Sequence, residues 1–366
     1  MSLAFFMGTR PEVMKLDSLL KEALSRNLDF EFIHTGQHYD WEMSMQYIKG
    51  LNLPEPDVFL SEAKGDAASN VGRIFIDTTK YLKENMPSAV VVLGDTNSTL
   101  GVSLAACKLG VDLVYVEAGC RSFDWSMPEE KNRVIVSDCA DLNLASTELC
   151  VRNLKSENVR GEIVLSGHPI VKTVHSIAEN MDDEDVLEVF GLQPKSYFLM
   201  TFHRVENVDD RSRLQRIIKI INSMDKKIIF SMHPRTRRRL KEFDLNGELN
   251  KGENLLLTPP LPYGQTLALV KNASFVITDS GGLQQESYLL ETPCITVRES
   301  IIWRELVEAG VTIHLDPTRE GFVEFFKTVD LAHHVVKAKF QNTKQIFGGD
   351  DVPENIMDRL CSTYDL

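Results

Sequence analysis

Six short clusters of glycine, charged and polar residues each follow an apolar run in this chain. An apolar run that ends in this way and leads into a helical pattern is typical of the carboxyl end of a buried parallel strand. Because these ends meet at the edge of a sheet where open α/β folds bind ligands, the clusters predict a binding site there. The six clusters are Gly8-Thr9-Arg10-Pro11-Glu12, Gly94-Asp95-Thr96, Glu117-Ala118-Gly119, Thr201-Phe202-His203-Arg204, His233-Pro234-Arg235 and Asp279-Ser280-Gly281-Gly282.

Strand-like runs alternate with longer helical patterns in two series, which predicts an α/β fold with two Rossmann-like lobes. The first series comprises residues 3–6, 30–33, 89–93 and 113–116, and the second comprises residues 197–200, 227–230, 255–257 and 275–278. A chain of 366 residues also exceeds the size at which one hydrophobic core stops growing. The acidic stretch 179–185 is the best linker candidate, with the boundary about ten residues upstream, so we place the domains at 1–170 and 171–350.

Composition and charge narrow the classes of partner. The formal net charge of −13 argues against a nucleic-acid partner, since phosphate binding needs a concentrated basic face. No apolar run approaches about eighteen residues and no secretory leader is visible, so we expect a cytoplasmic protein without a membrane segment. The six cysteines show no CxxC pair or metal-ligand spacing, which predicts reduced thiols and no metal site.

Ser280, Gly281 and Gly282 lie where a strand is followed by a helix. Small residues there leave backbone N–H groups open to an anion at the positive end of the helix dipole, but a tight turn capped by Ser280 explains them equally well. Glu286, one helical turn further on, either accepts hydrogen bonds from ribose hydroxyls or is a solvated surface residue. Neither GxGxxG nor a Walker-type loop follows the first strand, which weakens nicotinamide and ATP binding.

Three carboxylates, Asp95, Glu117 and Glu129, lie on successive segments of the first lobe. Converging carboxylates repel, which raises the pKa of one so that it acts as an acid while another acts as a base. Asp95 and Glu129 could instead be helix N-cap or first-turn residues, whereas Glu117 closes an apolar strand, where an acid is costly unless paired or functional. His203 ends the first strand of the second lobe and is either structural or a phosphate-binding or proton-transfer residue.

In their order and spacing, these motifs resemble the non-hydrolysing UDP-N-acetylglucosamine 2-epimerase family over nearly the whole chain. The resemblance rests on residues 8–12, 94–96, 116–121, 127–133 and 279–284. It implies the GT-B architecture, with the nucleotide sugar in the cleft between two Rossmann-like lobes and a helix over 352–360, within a segment 351–366, that returns to the first lobe. It further implies a UDP-sugar substrate, no cofactor, a homodimer and, in bacterial members, a second, regulatory UDP-N-acetylglucosamine.

The resemblance also implies roles for individual residues. The family's catalytic positions are matched by Arg10, Lys15, Asp95, Glu117, Glu129 and His203. Its substrate-binding positions are matched by Arg10, Lys15, Arg133, Ser280, Gly281, Gly282 and Glu286, and by Tyr263, which matches an aromatic residue near the uracil. The regulatory nucleotide sugar of the bacterial members binds at positions matched by Gln37, His38, Arg73, Arg204 and His233.

The activity implied is reversible 2-epimerisation of UDP-N-acetylglucosamine to UDP-N-acetylmannosamine by elimination and re-addition of UDP. One stretch departs from the family pattern, because Ile301-Ile302-Trp303-Arg304-Glu305 stands where the family has Thr-Glu-Arg-Pro-Glu. Trp303 thus replaces an arginine, and a 2-epimerase of a modified UDP-N-acetyl sugar, a diacetamido uronic acid or a 6-deoxy sugar, is a close alternative. A hydrolysing 2-epimerase, a GT-B glycosyltransferase and a nucleotide-sugar sensor are further alternatives.

Overall fold

The chain forms two compact units, one of Met1–Thr173 with Gln345–Leu366 and the other of Val174–Lys344. The computed structural model describes residues 2–37, 45, 48–62, 65–249, 254–343 and 345–366. Each unit is built on one parallel sheet with helices between successive strands, so the predicted α/β class with two parallel-sheet lobes is confirmed. The boundaries that the sequence predicts, after residues 170 and 350, stay a prediction.

The sheet of the first unit has the strand order β3-β2-β1-β4-β5-β6-β7, with every pairing parallel. Its central strands are buried apolar runs, as a parallel sheet covered on both faces requires. Three strands escaped prediction: β3 has only two residues, Asn143 interrupts the apolar run of β6, and β7 is partly exposed. The strands are β1 Leu3–Met7, β2 Phe30–His34, β3 Val58–Phe59, β4 Ala89–Leu93, β5 Asp112–Ala118, β6 Leu142–Ala145 and β7 Glu162–Leu165.

Helix α1 (Arg10–Ser25) begins where its sequence signals predict. Pro11 occupies the first turn, where its missing N–H costs nothing, and Val13, Leu16 and Leu20 recur at helical spacing and are fully buried. The other helices that include residues of this unit are α2 Ala67–Asn85, α3 Asn97–Leu109, α4 Pro128–Cys139, α5 Glu148–Glu157, α6 Ile170–Glu179 and α17 Val352–Tyr364.

Helix α17, near the end of the chain, packs against α1 within the first unit. Leu360 of α17 is fully buried, and Arg26 at the end of α1 pairs with Asp358 at 2.6 Å. Ahead of the helix, the carbonyl of Phe347 accepts the backbone N–H of His168 at 2.8 Å. The returning segment is therefore tied both to α1 and to the loop that follows β7.

The second unit contains a sheet with the order β10-β9-β8-β11-β12-β13, again with every pairing parallel. Its strands are β8 Tyr197–Thr201, β9 Lys227–Ser231, β10 Leu255–Thr258, β11 Phe275–Thr278, β12 Cys294–Val297 and β13 Thr312–Leu315, of which β12 and β13 were not predicted. Its helices are α7 Asp183–Val189, α8 Val205–Val208, α9 Arg211–Ser223, α10 Pro234–Glu242, α11 Asn246–Leu249, α12 Tyr263–Asn272, α13 Gly281–Leu289, α14 Arg304–Glu308, α15 Phe322–Phe326 and α16 Val329–Lys339.

The described ranges contain no membrane-spanning helix and no metal-binding cluster of side chains. No helix there combines the length and the apolar composition needed to cross a membrane. No group of three or more His, Cys, Asp or Glu side chains in the same ranges is arranged to hold a metal ion. The six cysteines are free thiols.

Candidate active site

Strands β1, β4 and β5 are neighbours in the first sheet, and their carboxyl ends carry the clusters around Arg10, Asp95 and Glu117. Glu117 has a positive φ of 69°, which a residue with a side chain rarely adopts. The pairing of β5 with β6 shifts register between Val116 and Ala118. Such a bulge re-aims a side chain, so the direction of Glu117 is set by a local irregularity of the strand.

Glu117 forms a buried ion pair with Lys15. Lys15 lies about one turn inside α1, and its Nζ is 2.5 Å from Glu117 Oε2. His168, in the loop after β7, has its Nε2 3.5 Å from the same oxygen. The side chains of Lys15 and Glu117 are 16% and 10% exposed and that of His168 is 0% exposed. A charge-assisted hydrogen bond in such surroundings is strong and holds both side chains in place.

The pairing also decides the charge of Glu117. Burial disfavours its charged form, but the charge and hydrogen bond of Lys15 together with the nearby His168 ring outweigh burial and hold the pKa of Glu117 well below its usual range. Burial likewise disfavours the ammonium of Lys15, yet the charges of Glu117 and Asp95 raise its pKa. Glu117 is therefore not the one of the three carboxylates whose pKa is raised, because its closest charged partner is a cation.

Asp95 forms a second ion pair at this edge of the sheet. Its Oδ2 lies 2.5 Å from Nη2 and 3.0 Å from Nε of Arg133, in α4. Its backbone carbonyl accepts a hydrogen bond from Asn132 at 2.8 Å. Because α4 holds Asp95 at both its side chain and its backbone, the position of this carboxylate depends on the packing of that helix. The Asp95 side chain remains 31% exposed.

The two acids at the start of α4 have different surroundings. Glu129 is partly buried in the first turn of the helix, as its position after Pro128 predicts. Glu130 is buried and accepts the backbone N–H groups of Ser122 and Phe123 and a 2.7 Å contact from Arg133. Burial opposes its charge, but these donors keep the pKa of Glu130 low. Glu130 therefore fixes the loop after β5 and supports Arg133.

Glu12 fills a similar structural role at the start of α1. It accepts the backbone N–H groups of Gly8 and Thr9 at 2.8 Å each, and the hydroxyls of Thr96 and Thr99 donate to its other oxygen. Burial, which outweighs these hydrogen bonds, raises the pKa of Glu12. The turn after β1 is thereby connected to the turn after β4. Arg10, the first residue of α1, lies two residues before Glu12 and is partly buried.

In the second unit, the glycine turn follows β11 and begins α13. Ser280 is the N-cap, and its Oγ accepts the N–H of Leu283 at 3.3 Å. A Cβ added at Gly281 would lie 3.7 Å from Ile302, and one at Gly282 would lie 3.9 Å from Ser280 Oγ. Neither glycine has a positive φ. Both the backbone and the packing would therefore accept a side chain at these two positions.

Asp279 organises the end of β8 and the helix that follows. It is fully buried and accepts the backbone N–H groups of His203 at 3.1 Å and Arg204 at 3.0 Å, and the side chain of Asn207 at 3.0 Å. Its Oδ1 is 3.3 Å from His203 Nδ1. The His203 ring also lies against the ring of His233, with centroids 5.3 Å apart. His203 is thus held on two sides.

The charge state of His203 follows from this environment. Burial lowers its pKa, and although Asp279 opposes this shift, Arg204 and Arg298 add to it. The imidazole is therefore neutral at pH 7, a state in which one ring nitrogen donates and the other accepts a hydrogen bond.

Two further side chains border the glycine turn. Glu286 is only 8% exposed and accepts a hydrogen bond from the hydroxyl of Tyr263 at 3.0 Å, so its interpretation as a solvated surface residue is wrong. Trp303 is buried, and its Nε1 donates to the carbonyl of Gly281 at 3.1 Å. Trp303 therefore supports the first turn of α13.

The positions matched to a regulatory site have ordinary local partners. Gln37 Oε1 accepts the backbone N–H and the hydroxyl of Ser98, both at 2.7 Å. Arg73 donates to Asp77 at 3.0 Å one turn along α2. Of the two in the second unit, Arg204 is the N-cap of α8 and His233 is the N-cap of α10. His38 lies outside the described residues.

Sequence reasoning missed His168, Glu130 and Asp279 as individual residues of these networks. A signal for His168 exists, since Gly167-His168-Pro169 follows β7 at the same edge of the sheet as the other clusters. Asp279 lies within one of the six sequence clusters, but the sequence alone indicates no role for it. Nothing in the local sequence separates the partly buried Glu129 from the buried Glu130.

Comparison with known proteins agrees with this architecture. The family model for UDP-N-acetylglucosamine 2-epimerase matches residues 22–361. A UDP-N-acetylglucosamine 2-epimerase of Methanocaldococcus jannaschii is 38% identical over 365 residues, which cover 98% of each chain. A UDP-2,3-diacetamido-2,3-dideoxy-D-glucuronate 2-epimerase of Pseudomonas aeruginosa is 31% identical over 99% of each chain.

The solved structures give the same result. The crystal structure of the Methanocaldococcus jannaschii UDP-GlcNAc 2-epimerase in complex with UDP-GlcNAc and UDP is similar to this chain with a TM-score of 0.88 and 37% identity. The match covers 99% of this chain and 100% of that one. It confirms the predicted GT-B fold class. The chain belongs to the UDP-N-acetylglucosamine 2-epimerase family, a family of isomerases.

Proposed function

We propose that this chain catalyses the reversible 2-epimerisation of UDP-N-acetylglucosamine to UDP-N-acetylmannosamine. The observation that carries the proposal is a pair of cation–carboxylate contacts at one sheet edge, Lys15 with Glu117 and Arg133 with Asp95. Acid/base groups and cations that stand together suit a reaction in which a proton and an anionic leaving group depart from one substrate. Membership of the epimerase family supports the same activity.

The proposed chemistry is an elimination followed by an addition. Carbon 2 of the sugar bears an acetamido group and no neighbouring carbonyl, so its proton is too weakly acidic for simple removal and return. A base removes this proton while the bond from carbon 1 to the UDP oxygen breaks, and the bonding electrons leave with UDP. The glycal that remains has a double bond between carbons 1 and 2. UDP then adds back to carbon 1 as a proton reaches carbon 2 from the opposite face.

Asp95 and Glu117 are the acid/base groups in this proposal. Two groups are needed because the proton leaves one face of the sugar ring and returns to the other. Each carboxylate retains an exposed fraction inside its ion pair, 31% for the Asp95 side chain and 10% for that of Glu117. Lys15, Arg10 and Arg133 bind the substrate and stabilise the charge of the leaving diphosphate. Glu129 is a third candidate acid in the first turn of α4.

The second unit binds UDP in this proposal. Gly281 and Gly282 carry no side chain although the fold would accept one at both positions, and this leaves the N–H groups at the start of α13 open to a diphosphate. In this proposal Glu286 accepts hydrogen bonds from the ribose hydroxyls, and Tyr263 lies near the uracil. Neutral His203 donates a hydrogen bond to the phosphates or transfers a proton.

Epimerisation of a modified UDP-N-acetyl sugar is the second candidate function. It is favoured by Trp303, which is buried against the glycine turn where the family has an arginine. A relative named as a UDP-2,3-diacetamido-2,3-dideoxy-D-glucuronate 2-epimerase also matches nearly the whole chain. The two candidates share the elimination and differ only in the sugar.

Incubation in deuterated water separates the candidates. The protein is supplied with UDP-N-acetylglucosamine or with the diacetamido glucuronate analogue, and proton NMR follows carbon 2. Deuterium at carbon 2 of UDP-N-acetylglucosamine and UDP-N-acetylmannosamine supports the first proposal. Exchange confined to the analogue supports the second, and free N-acetylmannosamine with UDP indicates a hydrolysing enzyme. Transfer of the sugar to an acceptor without exchange indicates a glycosyltransferase, and binding without any turnover indicates a sensor.

Asp95→Asn is the matched control, because the amide keeps the shape of the side chain and cannot take the proton. We expect exchange at carbon 2 to be abolished while UDP affinity stays close to that of the wild-type protein. Wild-type exchange in this variant would remove Asp95 from the mechanism. The homodimer, the regulatory nucleotide sugar at Gln37, His38, Arg73, Arg204 and His233, and the cytoplasmic location stay predictions.

A further inference from the structure

We propose that His168 is a positioning residue that fixes Glu117 so that only one carboxylate oxygen reacts. The inference rests on the proposed function, in which Glu117 exchanges the carbon 2 proton. Lys15 at 2.5 Å and His168 at 3.5 Å both contact Oε2 of Glu117. Every hydrogen-bond or ion-pair contact that the described residues make with this carboxylate is at that oxygen. Oε1 is therefore the oxygen left to take and return the proton.

The tautomer of His168 is determined by a backbone contact. Its Nδ1 accepts the N–H of Ile170 at 3.1 Å, and a nitrogen that accepts a hydrogen bond carries no proton. The single proton of the neutral ring is therefore on Nε2, which faces Glu117. Burial lowers the pKa of His168, the Glu117 carboxylate opposes this shift and Lys15 adds to it. The ring thus supplies a donor at neutral pH without adding a charge.

The position of the His168 ring is fixed by the returning segment. The ring is fully buried and packs edge-on against Phe347, with centroids 6.2 Å apart, while its backbone N–H donates to the Phe347 carbonyl at 2.8 Å. Gly167 has a φ of 77°, and a Cβ there would lie 2.7 Å from the same carbonyl. The glycine is required by this close approach, and His168 follows it in a single orientation.

Lys15 and His168, which both contact Oε2 of Glu117, have different consequences for catalysis. Lys15 makes the shorter contact in this structure, but in the proposed mechanism it also binds the diphosphate, so its hold on Glu117 changes during the cycle. His168 has no such second role, and its 3.5 Å contact has room to shorten as the substrate-bound geometry forms. His168 therefore keeps Glu117 oriented while Lys15 interacts with the leaving group.

His168→Met removes the donor and His168→Gln restores an N–H at a similar reach. We expect kcat of His168→Met to fall about a hundredfold, as for a misplaced catalytic group, with KM changed less than about threefold. His168→Gln should recover most of the loss. The acid limb of the pH profile of kcat should move to higher pH in His168→Met and not in His168→Gln. The reason is that only in His168→Met does Glu117 lose a donor that favours its charged form. His334 is an exposed histidine in α16, and His334→Met serves as the control for the removal of a histidine.

Two readouts distinguish a failure of the inference from a loss of the fold and from a failure of the proposed reaction. Thermal unfolding and UDP affinity identify a variant that has lost its fold, in which case the His168→Gln comparison decides. A long-range proton–nitrogen NMR spectrum of the wild-type protein should show the Nε2–H tautomer at pH 7. An Nδ1–H ring or an imidazolium overturns the inference even if the chain turns over no substrate. Full activity and an unmoved acid limb in His168→Met overturn it in an active enzyme, whereas an inactive wild-type protein would overturn the proposed function.

Discussion

Glu117 is held ionised in a setting that would otherwise favour its protonated form. A buried carboxylate without a partner keeps its proton, whereas a cation at hydrogen-bond distance reverses that preference. Lys15 provides the cation, and its own charge is stabilised in return by Glu117 and Asp95. Since the folded-state pKa lies below the unfolded value of 4.5, the stability that Glu117 contributes is complete above that pH and is lost as the pH falls through the folded pKa.

Lys15→Met should reverse this pH dependence. We expect the free energy of unfolding at pH 7 to fall by about 3 kcal/mol, because a buried charge is left without its cation. Burial then raises the folded pKa of Glu117 above its unfolded value, so the loss should be smaller at pH 5, where the carboxylate takes a proton. Urea unfolding at the two pH values measures the difference. The double variant Lys15→Met with Glu117→Gln is the control, and an equal loss at both pH values, or no recovery in the double variant, would contradict the argument.

The strands and loops that carry the site differ in how well the sequence predicts them. Strands β1, β4, β8 and β11 are apolar runs of four or five residues, and their ends led directly to Arg10, Asp95, His203 and Ser280. Strand β7 is short and partly exposed, so the loop that carries His168 went unnoticed. The contact of Lys15 with Glu117 joins residues 102 positions apart, and local spacing carries no information about a pairing at that distance.

At the start of α13, substitution should separate stability from binding. Gly282→Ala adds a methyl that the fold accepts. We therefore expect the thermal midpoint to stay the same or to rise, with a gain of up to about 0.5 kcal/mol in the free energy of unfolding. The same methyl would stand where a diphosphate approaches the N–H groups. We therefore expect the Kd for UDP to rise at least about tenfold, which corresponds to a loss of about 1.4 kcal/mol in binding free energy. Differential scanning calorimetry and titration calorimetry measure the two effects.

Gly247→Ala in α11 is the matched control for that substitution. An added Cβ meets no atom within 4 Å there, so the variant should gain similar stability with an unchanged Kd for UDP. If Gly282→Ala bound UDP as tightly as the wild-type protein, the start of α13 would not be the diphosphate site. A loss of stability in Gly282→Ala would contradict the conclusion that the fold accepts a side chain at this position.

At the scale of the whole molecule, the chain leaves the first unit within α6 and returns to it at Gln345. The returning segment contributes α17, which covers α1, and the Phe347 carbonyl that holds His168. Helix α1 carries Lys15 and the loop after β7 carries His168. Both partners of Glu117 therefore depend on a segment that lies far from them in sequence.

Leu360→Ala tests this dependence. Leu360 is fully buried in α17, so its truncation should cost about 3 kcal/mol, within the range for core leucines. Hydrogen exchange read by mass spectrometry should speed up in α17, α1 and the loop after β7, while peptides from β8 and β11 keep wild-type rates. Leu24→Ala, at a leucine of α1 that is 45% exposed, should change the stability by less than about 0.5 kcal/mol. Exchange that rose equally in peptides of the second unit, or that stayed unchanged around His168, would show that the returning segment does not stabilise the surroundings of Glu117.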